Sequence, residues 1–158
     1  TKEHLALNED RVRGLSPSEL LETEVYVNGE YLSTYSSDGL IAATPTGSTA
    51  YSMSCGGPII SPQSKCICLT PISPHNLTHR PLIIPEESEI EFRISHSKNQ
   101  VSLHLDSQNY LLNPPARILI RKAEKKLKLV RMENNSFFSA IRNKLMWGTN
   151  LRNTNKND

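Results

Sequence analysis

The chain has 158 residues and a mass of 17.7 kDa, with 37% apolar, 22% charged and 6% aromatic side chains. That composition is too hydrophobic for a disordered tail and too polar for a membrane protein, and apolar runs stop at four residues, as at residues 40–43, which excludes a transmembrane helix or a signal-peptide core. Eighteen Lys and Arg against sixteen Asp and Glu leave a net charge of +2, too little to draw the protein to nucleic acid or a membrane surface.

In chain order, the first element is a hairpin over residues 24–32, Glu-Val-Tyr-Val-Asn-Gly-Glu-Tyr-Leu. Asn28-Gly29 stands between two alternating runs, and both residues tolerate the positive φ of a two-residue type I′ turn. Pairing across that turn sets Tyr26 opposite Tyr31 on one face and Val25 opposite Leu32 on the other. An apolar strand over residues 40–43 runs into a short helix near residues 46–55. Residues 65–70 alternate as a strand does, which puts Cys66 and Cys68 on one face. Further along, Ile90, Phe92 and Ile94 alternate with Glu89, Glu91 and Arg93, the period of a half-buried strand. Val101, Leu103 and Leu105 repeat that pattern, as do Ile118 with Ile120 and Leu127 with Leu129. A C-terminal helix is expected near residues 136–145, where Phe137, Phe138, Ile141 and Leu145 recur at helical spacing behind Ser136 as N-cap. Residues 150–158 are rich in Asn, Thr and Lys and are expected to form a disordered tail.

Short strands joined by turns rather than helices favour antiparallel sheets packed on each other over a βαβ fold. The expected class is therefore mainly β, an antiparallel sandwich-like domain spanning residues 1–149. Three cysteines, Cys55, Cys66 and Cys68, are odd in number and crowded together, which fits a reducing compartment and a cytoplasmic location better than a disulfide framework. Because the chain starts at Thr1 rather than Met, further sequence upstream is expected.

Several familiar chemistries are missing. The sequence holds no phosphate loop of the Gly-x-x-x-x-Gly-Lys-Ser/Thr type, no Gly-x-Gly-x-x-Gly and no Gly-x-Ser-x-Gly elbow. His75 and His79 stand four apart, but no Glu accompanies them as in a zincin helix, and Pro74 and Pro81 flank the pair. Cys66-x-Cys68 reads as core packing. The basic run over residues 121–128 has no interleaved aromatics to stack bases, so it reads as a solvated strand face and not as a nucleic-acid surface.

The informative segment covers residues 38–51, Asp-Gly-Leu-Ile-Ala-Ala-Thr-Pro-Thr-Gly-Ser-Thr-Ala-Tyr. An apolar strand runs into Thr-Pro and then into small hydroxyl residues that open a helix. The first turn of a helix offers unpaired N–H donors, and Gly47 would let a ligand approach the backbone closely. Thr46, Ser48 and Thr49 add hydroxyls. This suits a phosphate- or ribose-bearing ligand, although Thr46 acting only as a structural cap explains the same residues. Asp38, at the polar start of the strand, is either a turn residue or a ligand acceptor.

Residues 38–52 together with Gly56-Gly57-Pro58-Ile59 closely resemble the signature of the NAD kinase family. Ala6-Leu7-Asn8-Glu9 resembles the family's Asn-Glu motif, residues 71–81 its Pro-His-x-Leu…Arg-Pro stretch, and Phe137-Phe138 with Leu145-Met146-Trp147-Gly148 its C-terminal end. The resemblance covers residues 5–152. It implies a two-domain kinase whose N-terminal α/β domain carries a Gly-Gly-Asp-Gly-Thr motif, absent from these 158 residues, and whose β-rich C-terminal domain is this chain. It further implies transfer of the γ-phosphoryl of ATP, with Mg²⁺ or another divalent cation, to the 2′-hydroxyl of the adenosine ribose of NAD. The catalytic base would come from the other domain. By the same resemblance Asn8 and Glu9 lie at the adenine and adenosine ribose, Asp38 at the nicotinamide amide, Thr49 at adenine, and Ala50 and Tyr51 along the pocket. Assembly as a homodimer or homotetramer is implied as well. Two departures stand out: Ser73 where members often have Cys, and Asp106-Ser107 where many have Asp-Gly. A non-catalytic NAD-binding and oligomerisation module is the alternative reading.

Overall fold

The structure is a computed structural model that describes residues 3–16, 20–128, 130 and 136–147. The chain divides into two compact units, Thr1–Lys126 and Leu127–Asp158. The first is an antiparallel sandwich of ten strands. They are β1 (Glu9–Gly14), β2 (Leu21–Val27), β3 (Glu30–Ser37), β4 (Gly39–Ala43), β5 (Cys66–Ile72), β6 (Leu82–Pro85), β7 (Ile90–Ile94), β8 (Val101–Leu105), β9 (Gln108–Leu112) and β10 (Ala116–Ile120). One sheet runs β6-β5-β4-β1-β8-β9 and the other β10-β7-β2-β3. The first unit also holds a short helix, α1 (Tyr51–Ser54), and the second contains α2 (Phe137–Leu145), which Ser136 opens with a capping box shared with Ser139.

The mainly β, two-sheet architecture agrees with the alternation read from the sequence. Inward side chains from both sheets meet in one core. Val12, Leu40, Leu69 and Val101 come from the six-stranded sheet, and Val25, Ile90, Phe92, Ile94 and Ile118 from the four-stranded one. Burying each of these removes a side chain worth about 1.5–3 kcal/mol from water. β4 is buried along its whole length because both of its faces are covered, which explains why it reads as an unbroken apolar run. A second, smaller cluster of Ile41, Ala43, Ile60, Cys68 and Ile72 lies on the outward face of the six-stranded sheet. Cys55, Cys66 and Cys68 are free thiols in or against it, and burial pushes each of them up. They pack as small hydrophobes.

The hairpin between β2 and β3 turns on Asn28 and Gly29, with φ of 51° and 82°, as the type I′ turn requires. Tyr26 stands opposite Tyr31, with the rings 5.5 Å apart. Val25, however, pairs with Ser33 and not with Leu32, because the register shifts between Val25 and Tyr26. The extra residue of this bulge leaves Leu32 unpaired and exposed. Residues 121–128 form no strand, and Leu127 is exposed. Among the described residues no strand pairs with them. Leu129, Gly148 and the tail from Asn150 lie outside the described residues. Three strands were not legible: β1 with one apolar side chain in Glu-Asp-Arg-Val-Arg-Gly, the four-residue β6, and β9.

Candidate functional site

β1 lies between β4 and β8 and brings residue 9 beside the end of β4, with Glu9 opposite Ala43. The chain leaves β4 at Thr44 and closes back over the start of β1. Thr44 N–H donates to the Asn8 carbonyl at 2.9 Å, and the Thr44 hydroxyl donates to the Leu7 carbonyl at 2.7 Å. Gly47 sits against the same stretch of backbone. A Cβ there would fall 1.9 Å from the Asn8 carbonyl oxygen and 2.5 Å from its carbon. Gly47 thus makes room for Asn8 and not for a ligand, which corrects the reading from sequence.

The expected helix over 46–55 is in fact two turns. A 3₁₀ turn, Gly47–Thr49, ends at Ala50, whose φ and ψ of −93° and −135° are not helical, and α1 then spans Tyr51–Ser54. Thr46 makes no side-chain cap; Thr44 does that job, its Oγ1 accepting from Gly47 N–H at 3.1 Å. Ser48 N–H is taken by the carbonyls of Thr44 and Pro45, and Ala50 N–H by Gly47. The backbone N–H groups of Tyr51 and Ser52 face the Glu9 carboxylate and favour its charged form. The donors that the sequence offered to a ligand are therefore already spent on the fold.

What remains open is a set of side chains. The Asn8 amide makes no hydrogen bond to a described residue, and Glu9 is 7% exposed with Oε2 buried and unpaired. Burial pushes the Glu9 carboxyl up, Arg11 and the two N–H groups pull it back, and Asp106 adds to the rise. Thr49 is exposed, its hydroxyl donating weakly to the Thr46 carbonyl at 3.4 Å. The Arg11 guanidinium lies over the Tyr51 ring, 4.6 Å from its centre. Asn8, Glu9, Ala50 and Tyr51 are thus gathered at one end of β1 and β4, and Thr49 stands next to them in the chain.

Asp38 stands elsewhere. It precedes β4, five residues from Ala43, which puts it about 17 Å away along the strand. Its backbone is tied to Ile72 and Gly14, while its half-buried carboxylate has no partner among the described residues. His75 and His79 do not share a helix face, since no helix forms there; His79 packs against the Tyr35 ring.

The residue that sequence reading passed over is Asp106. Its Oδ2 accepts from Leu7 N–H at 2.7 Å and its Oδ1 from Asn8 and Glu9 N–H at 2.8 and 3.1 Å. Its own N–H donates to the Glu9 carbonyl. One carboxylate thereby fixes the backbone of the Asn8-Glu9 pair. The turn's positive φ, 52°, falls on Asp106 itself, so Ser107 in place of a glycine loses nothing there. The only signal in the sequence was an Asp at a tight turn, where such residues are common. Asp106 also acts on its neighbour: burial first, then the Asp106 charge, pushes Asp10 up to about 6.

Residues 7–132 match the family model of the ATP-NAD kinase C-terminal domain. The chain is 43% identical over 150 residues to an NAD kinase of Flavobacterium johnsoniae and 41% identical over 147 residues to one of Bacteroides fragilis. Those alignments cover 95% and 93% of this chain and 51% of each relative, so the chain spans about half the length of the curated relatives it matches. Among solved structures it resembles yeast NADH kinase complexed with NADH, with a TM-score of 0.82 and 30% identity over 94% of this chain and 46% of that one. An NAD kinase from Archaeoglobus fulgidus in complex with ATP superposes with a TM-score of 0.68, at 31% identity over 75% of this chain and 46% of that one. With the sandwich, the Asn-Glu pair and the Thr-Gly-Ser-Thr turn in place, the chain belongs to the NAD kinase family and carries its C-terminal domain.

Proposed function

We propose that this chain is the NAD-binding and oligomerisation half of an enzyme that transfers the γ-phosphoryl of ATP to the 2′-hydroxyl of NAD's adenosine ribose, giving NADP. The observation that supports the reading is that Asn8 and Glu9 stand beside Ala50 and Tyr51 at one end of the sheet, with the Asn8 amide and Glu9 Oε2 unspent. The Asn8 amide can both donate and accept, which suits a ring edge such as adenine. Glu9 commits part of its carboxylate to α1 and keeps Oε2 for a ribose hydroxyl. Thr49 supplies a hydroxyl to the base, with Ala50 and Tyr51 along the pocket wall. Asp38 accepts from the nicotinamide NH₂, and the strand length between it and Asn8 is bridged by an extended dinucleotide.

Phosphoryl transfer asks the protein mainly for positioning and charge stabilisation, and this chain supplies the positioning of the acceptor. The proton of the 2′-hydroxyl goes to a base on the domain with the Gly-Gly-Asp-Gly-Thr motif. Mg²⁺ or another divalent cation would enter with ATP, where it would offset the charge of the phosphates. The protein acts as a homodimer or homotetramer in the cytoplasm.

The test is ATP-dependent formation of NADP by the full-length protein, with NAD affinity read by calorimetry. Asp38→Ala should cost about 1.5–3 kcal/mol of NAD affinity, the range for a hydrogen bond to a charged group. Unchanged affinity removes Asp38 from the site. NAD binding without NADP formation favours the non-catalytic module.

A further inference from the structure

The outward face of the six-stranded sheet carries a charge arrangement that the fold leaves unbalanced. β1 presents Arg11 and Arg13 at alternate positions, so both side chains leave the same face. The register with β8 sets His104 directly opposite Arg11 and Ser102 opposite Arg13, and β9 sets Asn109 opposite His104. On the other flank the two arginines meet Ile41 and Gly39, which bring no charge. Neither arginine joins an ion pair among the described residues. The acid near them is Glu9, a single carboxylate that attracts Arg11 and also faces the N–H groups of Tyr51 and Ser52.

A buried N–H without an acceptor is costly. Arg11 Nε is buried without a partner, and the two arginines, after burial, hold His104 below its ordinary value. Ser102 donates to Asn109 Oδ1 at 2.6 Å, so the 2.7 Å contact between His104 Nε2 and the Ser102 hydroxyl uses the ring proton. In this neutral ring His104 Nδ1 is an acceptor, and it donates to an anion only once it takes up a proton.

We infer that Arg11, Arg13 and His104 form a phosphate-binding subsite on the outward face of β1 and β8. Two guanidinium forks on neighbouring positions suit the several oxygens of a phosphoryl or diphosphoryl group better than a single carboxylate. An anion there would give Arg11 Nε its acceptor and offset the charge of the two guanidinium groups. Arg11 also covers the ring of Tyr51, so the subsite adjoins the pocket wall. Its ligand is a phosphate group of the bound nucleotide or a free inorganic phosphate; assigning it to the nucleotide rests on the proposed function.

The probe is inorganic diphosphate, titrated calorimetrically into the full-length protein. Arg11→Gln and Arg13→Gln should each weaken binding tenfold or more. Lys122→Gln, at a cation paired with Glu86 and Glu87 elsewhere, should leave it unchanged. A wild-type protein that does not bind diphosphate, or Arg11→Gln and Arg13→Gln proteins that bind it as tightly as wild type, overturns the subsite. Arg11→Lys keeps the charge and loses the fork, and an intermediate affinity supports bidentate recognition. Competition between NAD and diphosphate assigns the subsite to the nucleotide's phosphate, and simultaneous binding assigns it to a free anion. Diphosphate binding in a protein that fails to bind NAD keeps the subsite and removes the proposed function.

Discussion

Asp106 is the position at which a small change reaches the site by a calculable route. Its carboxylate takes three backbone N–H groups, from Leu7, Asn8 and Glu9, at 2.7–3.1 Å. A hydrogen bond to a charged group contributes about 1.5–3 kcal/mol and a neutral one about 0.5–1.5 kcal/mol, but these three share one carboxylate and the exposed Leu7 N–H can turn to water, so they do not add in full. In Asp106→Asn the amide oxygen still serves Asn8 and Glu9, at neutral strength, while the amide NH₂ opposes Leu7 N–H. Leu7 is exposed and finds water instead. Asn also tolerates the φ of 52° at this position. The expected cost is about 1.5–3 kcal/mol. Asp106→Ala loses all three acceptors and adds the strain of a left-handed Ala, about 1 kcal/mol, so about 3–5 kcal/mol is expected. Either change removes the charge that helps push Asp10 up to about 6. Asp10 should then titrate lower, though not at its ordinary value, because burial is the larger cause. Urea unfolding at pH 7 measures the stability, amide hydrogen exchange at residues 7–9 measures the local release, and carboxyl NMR follows Asp10. An Ala variant within about 1 kcal/mol of wild type, or one no worse than Asn, would refute the clamp.

Other perturbations test neighbouring parts. Gly47→Ala drives a Cβ to 1.9 Å from the Asn8 carbonyl oxygen, so thermal unfolding should show a loss of about 2–3 kcal/mol, typical of overpacking; a neutral outcome would mean that Asn8 and the turn are not in contact. Asp10 has a folded pKa of about 6 against an ordinary 3.8, so its contribution is fully present below about pH 4 and is lost as pH rises through 6. Asp10→Asn should therefore stabilise the chain by about 2 kcal/mol at pH 8 and not at pH 3.5, as read from denaturant midpoints. Glu91 behaves in the opposite sense: hydrogen bonds from Arg93 and, after the cost of burial, Arg117 hold its carboxyl low. Its contribution is present at neutral pH and lost as pH falls through that lowered value. Because the two arginine side chains are 42% and 66% exposed, Glu91→Gln should cost only about 1 kcal/mol at pH 7, and equal stabilities at pH 7 would count against the bridge.

The parts of the fold that showed in the sequence are those where one residue type answers to one constraint. Asn28-Gly29 met the φ of a tight turn, and the alternation of Ile90, Phe92 and Ile94 met the two faces of a sheet. β1 was hidden because its outward face is polar: Glu9, Arg11 and Arg13 stand where a strand pattern tolerates any polar residue, and Val12 alone marks the core. A polar central strand has no periodic signature, yet it is the strand that carries the candidate site. The turn over residues 46–55 was misread for a related reason. Its small hydroxyl residues suit a ligand and a self-closing backbone equally well, and only the register between β1 and β4 decides between them. That register brings Asn8 against Gly47 and Glu9 against α1, so the donors are consumed by the chain itself. Under the proposed function, recognition falls to side chains with unspent atoms, Asn8, Glu9 Oε2 and the guanidinium over Tyr51, and substitutions there should change binding more than they change stability.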